Sequence, residues 1–237
     1  FWLKRLAQSS LRPAALSPGV CTCGRSMAPG PPDEEFSVGG CSFVIHQLAS
    51  GGTGRDIFPS GRMLLALLEG FRDWQGASVV ELGAGTGIVS VGLAKLGARV
   101  VATDCDTAVL KNLRQNVHRN GVAGRVRAMH WDWAEAPPEE LPLDGLQYCV
   151  GSDLAFGTSS KPLCKALCAL KAAVPSIEVY LVLQEREGLA VQALEDCCRS
   201  AGLCPRRRAL LGDGCVGDEV VGEVERQVDC GFFLFEL

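Results

Sequence analysis

The sequence predicts an α/β fold with a mostly parallel, doubly wound sheet, and two observations carry that reading. An apolar strand, a glycine turn and a second strand ending in a carboxylate follow one another between Val79 and Asp104. Short apolar runs then alternate with helix-spaced segments along the rest of the chain, the pattern of strands crossed over by helices.

Each element has its own signal. Ser60 is expected to cap a helix over residues 61–74, with Leu64, Leu65, Leu67, Leu68 and Phe71 on its buried side. Residues 77–82 read as a strand buried on both faces. Gly83, Gly85 and Gly87 permit a tight turn, residues 88–96 are spaced as a helix, Gly97 ends it, and residues 99–103 form the next strand. Asp106 can cap a helix running to about Arg119, where Val109, Leu110, Leu113 and Val117 repeat at helical spacing and Asn120-Gly121 stops the turn. Strands are then expected over 125–130, 146–152 and 177–184, with helices over 162–173 and 189–201. The apolar run 230–237, with Phe232, Phe233 and Phe235, closes the sheet.

Ligands of such sheets bind at the carboxyl ends of the strands, near the point where strand order reverses. The glycine turn and Asp104 fall on that edge, as do His130-Trp131 and Ser152-Asp153. Asp104 lies about 20 residues beyond Gly83, the spacing at which an acidic residue meets a ribose hydroxyl. The glycines follow G-x-G-x-G and not the dinucleotide pattern G-x-G-x-x-G, position 88 is Ile, and no Lys or Arg sits in the turn. A ribose-bearing cofactor without phosphates fits better than a dinucleotide. Glu81 and Asp104, at adjacent strand ends, suit a cofactor that also carries positive charge. The plainer reading of the glycines is a tight strand-to-helix turn.

Composition limits the alternatives. At 237 residues with 47% apolar content, the chain can bury one sizeable core. No apolar stretch approaches the roughly 20 residues that cross a bilayer. The net charge of −4 understates the acidity of the core, because residues 1–32 carry Lys4, Arg5, Arg12 and Arg25 and no acid. An acidic domain is a poor candidate for tight nucleic-acid binding. Residues 1–35, rich in Pro, Ser and Gly, are expected to be a disordered tail, and residues 36–237 a single domain. Met27-Ala28-Pro29-Gly30 is the preferred natural start, and a mitochondrial transit peptide is the alternative reading of the leader.

Most of the twelve cysteines fall within expected helices and strands, including Cys149, Cys164, Cys168 and Cys230. Cys197-Cys198 are adjacent, Cys21 and Cys23 lie in the tail, and no paired C-x-x-C motifs with His partners build a zinc site, so no metal is expected. Reduced thiols imply a reducing compartment, the cytoplasm or the nucleus.

Beyond the glycine loop, Asn116-Val117-His118-Arg119-Asn120, His130-Trp131-Asp132-Trp133 and Ser152-Asp153-Leu154-Ala155-Phe156 resemble the seven-β-strand protein-lysine methyltransferases, methyltransferase family 16. The glycine loop alone is shared with most S-adenosylmethionine enzymes, so the later elements point to the lysine branch. The resemblance spans about residues 36–237. It implies a Rossmann-like, seven-stranded S-adenosylmethionine-dependent methyltransferase fold with an antiparallel C-terminal strand. It also implies S-adenosyl-L-methionine as cofactor and a lysine of a protein as target, with no nucleic acid or membrane partner. The core needs no partner for completion, and a monomer is expected.

On this resemblance, Gly83, Gly85 and Gly87 pass close to the methionine part of the cofactor, with Glu81 near its amino group. Asp104 binds the ribose hydroxyls and Trp131 lies against the adenine, unless Trp131 merely fills the sheet edge. Phe58 stands where the family usually has a Trp covering the cofactor, and Ser152 joins the cofactor set. Asp153 is expected to orient the attacking amine, or else to cap the following loop. The family's D-x-x-Y reads Asp153-Leu154-Ala155-Phe156 here, which keeps the ring and loses the hydroxyl. Substrate, methylation degree or activity itself is then expected to differ. Two other readings stay open: a methyltransferase acting on a small molecule or histidine, and a catalytically silent relative that binds cofactor or a partner.

Weaker signals remain. His46, His118 and His130 are scattered. Arg206-Arg207-Arg208 reads as an exposed strand entrance. Glu185-Arg186 falls on the active edge by topology, and residues 212–218 read as a mobile loop overhanging the cleft.

Overall fold

The structure, a computed structural model, describes residues 33–48, 53–184, 190–210 and 231–237. The expectations for the leader, for Cys21, Cys23 and Cys230, for Glu185-Arg186 and for residues 212–218 lie outside the described residues.

Strand β1 (Glu34–Val38) pairs antiparallel with β2 (Cys41–Ile45). This hairpin was not expected, and β1 begins inside the segment assigned to the tail. Gly39-Gly40 supply the two positive φ angles, 56° and 75°, of a tight two-residue turn. Phe36 pairs with Phe43, their rings stacked 5.4 Å apart, and Val38 and Ile45 are buried on the same face of the hairpin. The signal was present as alternation around Gly-Gly, hidden by the Pro- and Gly-rich run before it.

Helix α1 covers Pro59–Phe71. Ser60 does not cap it: the N-cap is Phe58, without a side-chain bond, and Ser60 is buried in the first turn. Pro59 explains the difference, since its preset φ starts the helix and it has no N–H to leave unpaired. The helix also stops before Trp74, because Arg72 turns extended and the Trp74 indole N–H donates to the Leu68 carbonyl at 2.6 Å.

The main sheet starts at β3 (Ser78–Leu82), followed by α2 (Ile88–Lys95) and β4 (Arg99–Asp104). Next come α3 (Thr107–Arg119), β5 (Val126–His130), β6 (Tyr148–Ser152) and α4 (Ser160–Ala173). The chain then forms β7 (Glu178–Gln184), α5 (Ala190–Ser200), β8 (Arg206–Ala209) and β9 (Phe232–Glu236). Asp106 caps α3 as expected, accepting from the N–H groups of Ala108 and Val109. Gly121, at φ 68°, follows its C-cap.

The seven strands lie in the order β5-β4-β3-β6-β7-β9-β8, with β9 antiparallel between β7 and β8. β3 to β5 progress outward in one direction and β6 returns to the other side of β3, so the order reverses at the strand carrying the glycine turn. Alternate strand residues feed two cores. Val79, Val100, Ala102, Val150 and Val182 share one with the hairpin and side chains of α1 to α3, and Val80, Leu82, Cys149, Leu181 and Leu183 share the other with those of α4 and α5.

No helix among the described residues is long and apolar enough to cross a membrane. The described cysteines are free thiols. Arg207 lies on β8 with its guanidinium 3.9 Å over the Phe233 ring, so this member of the basic patch packs on the sheet.

Candidate active site

A cleft of about 720 Å³ opens at the carboxyl ends of β3, β4 and β6, at the reversal point. Its floor is the glycine loop, with Gly83, Gly85 and Gly87 at φ 58°, 55° and 87°. Each glycine is also demanded by a neighbour in the chain. A Cβ at Gly87 would lie 2.3 Å from Leu113, one at Gly83 would lie 2.7 Å from Leu154, and one at Gly85 would lie 3.2 Å from the backbone of Gly54. Packing and backbone angle therefore both exclude side chains here.

Asp104 ends β4 and holds the loop from the side. One carboxylate oxygen accepts the Gly85 N–H at 3.1 Å and the other accepts the Asp106 N–H at 3.0 Å. Burial raises its pKa, opposed by these backbone bonds. A carboxylate so placed retains lone pairs for a vicinal diol.

Glu81 is not brought to the cleft. It lies behind the loop, 1% exposed, with the Ser90 hydroxyl of α2 donating to it. Burial pushes its pKa up to about 8, and the neighbouring Asp104 charge adds to the rise. Alternation along β3 turns residue 81 into the layer between sheet and α2, so Glu81, expected near the amino group of the cofactor, is not among the residues lining the cleft.

Trp131, Ser152, Phe58, Asp153 and Phe156 all line the cleft. Trp131 is 2% exposed and its indole N–H has no protein partner. It packs in the α4 and α5 core while also lining the cleft. Trp133, given no role from sequence, lies against Gly83: a Cβ there would be 3.4 Å from its ring. Its indole N–H is likewise buried without a partner. The W-x-W spacing was the available signal.

The segment Thr53–Phe58 forms the opposite wall, with Gly54 against Gly85 and Arg55 3.6 Å from Asp106. Of this wall only Phe58 was marked in the sequence, by the family resemblance.

Asp153 follows β6 with a backbone φ of 56°, the positive value that Asp tolerates better than most residues. Its N–H donates to the Val182 carbonyl at 3.0 Å, and the residue is 9% exposed. The loop after it is tied by Ser159, whose hydroxyl donates to the Leu154 carbonyl and accepts the Phe156 N–H. Phe156 stands at the rim, 38% exposed, an outlier among the large apolar side chains described.

The charges lining the cleft are of one sign: Asp56, Asp104, Asp106, Asp132 and Asp153 are present, and among the described residues no Lys, Arg or His is. Such a cavity favours cations and penalises phosphates. Among the described residues no cluster of His, Cys, Asp and Glu has metal-holding geometry. His46 pairs with Asp33, His130 contacts the Cys105 carbonyl, and His118 is exposed on α3.

Residues 40–195 match the family model described as lysine methyltransferase. The chain is 39% identical over 87 residues to protein N-lysine methyltransferase METTL21A of Danio rerio, covering 35% of this chain and 39% of that protein. It is 44% identical over 73 residues to ribosomal protein L11 methyltransferase of Desulforamulus reducens, covering 30% and 23% respectively. It thus spans well under half of those relatives' lengths. Among solved structures, the T. thermophilus 16S rRNA N2 G1207 methyltransferase RsmC, in complex with AdoMet and guanosine, aligns with a TM-score of 0.56 at 21% identity, covering 89% of this chain and 52% of that one. A TehB-like SAM-dependent methyltransferase of Corynebacterium glutamicum aligns at 0.53 and 16%, covering 77% and 88%. The sheet order, the glycine loop at its reversal point and the match over residues 40–195 converge: the chain belongs to the lysine methyltransferase family.

Proposed function

We propose that this protein transfers methyl groups from S-adenosyl-L-methionine to a lysine side chain of another protein. The observation that carries the reading is the cleft in which the glycine loop and Asp104 meet Asp153 and Phe156, with aspartates as the only charged lining among the described residues. Both substrates are then cations, a sulfonium and an amine that is protonated in water.

The residues fit the cofactor. The glycine loop leaves backbone exposed, Asp104 offers acceptors to a ribose diol, and Trp131 and Trp133 offer indole faces and unpaired N–H donors. When bound, the cofactor supplies an activated methyl whose C–S bond breaks as the amine nitrogen bonds to carbon, the sulfur keeping the electron pair. The protein's own part is placement and desolvation. A lysine amine has an ordinary pKa near 10.4 and must lose a proton to attack. Phe58, Trp133 and Phe156 remove water from it, which favours the neutral form, while Asp153 orients it and accepts its N–H. The displaced proton leaves to solvent at the open rim. Glu81 acts at one remove, behind the loop.

The lysine assignment draws on the family and on relatives such as EEF1A lysine methyltransferase 3 of Xenopus tropicalis, 35% identical over 94 residues. The free thiols among the described cysteines support a reducing compartment, the cytoplasm or the nucleus, under this reading. Phe156 favours a second reading, a silent relative that binds cofactor without transferring methyl. Incubating purified protein with radiolabelled cofactor and a cell lysate separates the two. Label in a protein band that falls sharply with Asp153→Ala supports transfer; equal labelling by both proteins removes Asp153 from the chemistry, label in small molecules refutes the protein target, and cofactor binding without labelling selects the silent reading.

A further inference from the structure

The N-x-x-x-N-x-x-x-N spacing of α3 and its C-cap does not line the cleft, and Asn112 and Asn116 are buried while Asn120 is half-buried. One edge of β2 pairs with β1, and the other edge meets three carboxamides. Asn120 accepts the Val44 N–H at 2.8 Å and donates to the Val44 carbonyl at 2.7 Å. Asn116 accepts the His46 N–H at 2.9 Å and donates to the His46 carbonyl at 2.9 Å, which Asn112 also reaches at 2.9 Å. The geometry follows from two periods. Four residues of helix rise about 6 Å, and two residues of strand span about 6.7 Å. Asparagines four apart therefore register with backbone groups two apart, and the row of side chains stands in for a neighbouring strand.

Asn116 differs from the other two. It is fully buried, and its second N–H donates to the carbonyl of Thr86 at 2.9 Å, inside the glycine loop. One carboxamide thus joins the hairpin to the floor of the cleft. Just past His46 the chain runs on to Thr53–Phe58, the opposite wall, which rests on the same loop through Gly54 and Gly85.

We propose that Asn116 is a positioning residue that couples seating of the N-terminal hairpin to cofactor binding at the glycine loop, an inference that rests on the cofactor reading above. Coupling is reciprocal: whatever orders the loop tightens the hairpin, and whatever frees the hairpin weakens the loop. The hairpin has independent anchors, Arg62 on Glu34 at 2.7 Å and the Gly39 N–H on Glu69 at 2.8 Å, so loss of Asn116 loosens it without releasing it.

The test compares the full-length wild type, Asn116→Ala and Asn120→Ala. Each is titrated with S-adenosylhomocysteine by calorimetry and followed by hydrogen exchange over residues 34–46. Both variants are expected to melt lower than the wild type and to exchange faster in the hairpin. The product should restore hairpin protection in the wild type and Asn120→Ala but not in Asn116→Ala. Asn116→Ala should bind it most weakly, by about tenfold, the effect of one lost buried hydrogen bond, and Asn120→Ala, which loosens the hairpin but keeps the link to Thr86, by clearly less. Equal affinity in the two variants, or full restoration in Asn116→Ala, leaves Asn116 merely structural and overturns the coupling. A wild type that binds the product with no change in hairpin exchange overturns it without any variant. A wild type that binds no product refutes the cofactor reading instead, and the coupling with it.

Discussion

The two halves of the cleft are built differently. The half proposed to hold the cofactor, formed by β3, β4 and the glycine loop, is fixed through its backbone by several independent neighbours. Gly87 meets Leu113, Gly85 meets Gly54 and is bonded to Asp104, and Thr86 is gripped by Asn116. The half proposed to receive the target, around Asp153 and Phe156, consists of a strand end and a loop tied chiefly by Ser159, with Phe156 exposed at its tip. A half in which every position answers to several neighbours tolerates little change, whereas one held by few contacts can vary with its substrate. Position 156, where the hydroxyl of the related pattern is missing, lies in the second.

Four measurements can break or sharpen that contrast. The largest effect is expected for Asp104→Ala, which removes the acceptor of the Gly85 and Asp106 N–H groups as well as the proposed diol contact; S-adenosylhomocysteine binding by calorimetry should weaken by more than about 100-fold. Asp153→Ala should lower turnover by about 100-fold while product affinity stays within about threefold, since it acts on the incoming amine alone. A parallel loss of affinity would show that the halves are not separable.

Glu81 gives a pH-dependent prediction. Its folded pKa, about 8, stands above its unfolded value, so the stability tied to its proton is complete below about pH 4.5 and is lost as pH rises to about 8. Glu81→Gln should flatten that part of the decline in melting temperature between pH 5 and 8; an unchanged slope would assign the decline to other groups, Asp104 among them. The smallest effect is expected for Phe156→Tyr: unaltered product affinity and a change of a few fold in turnover or in the distribution of methylated products, read by mass spectrometry. An identical rate and distribution would remove position 156 from target selection.

How much of this could be read in advance follows the same division. The strand, glycine turn and Asp104 were legible because burial on both faces, positive φ and a terminal carboxylate each restrict residue type locally. The α3 cap at Asp106 and its stop at Gly121 were legible for the same reason. The α1 start was misplaced because two local signals competed, a Ser that could cap and a Pro that could begin, and Pro59 prevailed. The hairpin was missed because Gly-Gly and its flanking alternation follow directly on a Pro-rich run. Trp133 was signalled only by the W-x-W spacing and the wall at Thr53–Phe58 only by Phe58, while the role of Asn116 was beyond reach, since each depends on a neighbour distant in sequence.

The sequence by itself determined the fold class, the place of the glycine loop and the acidic residue at the next strand end, because those features follow from periodicity and backbone angle within a few residues. Only the tertiary structure decided that Glu81 lies behind the loop, that Trp133 rests on Gly83, and that one carboxamide ties the hairpin to the cleft floor. Those are facts about which side chains meet, and they are set when β3, α2, α3 and the hairpin pack together.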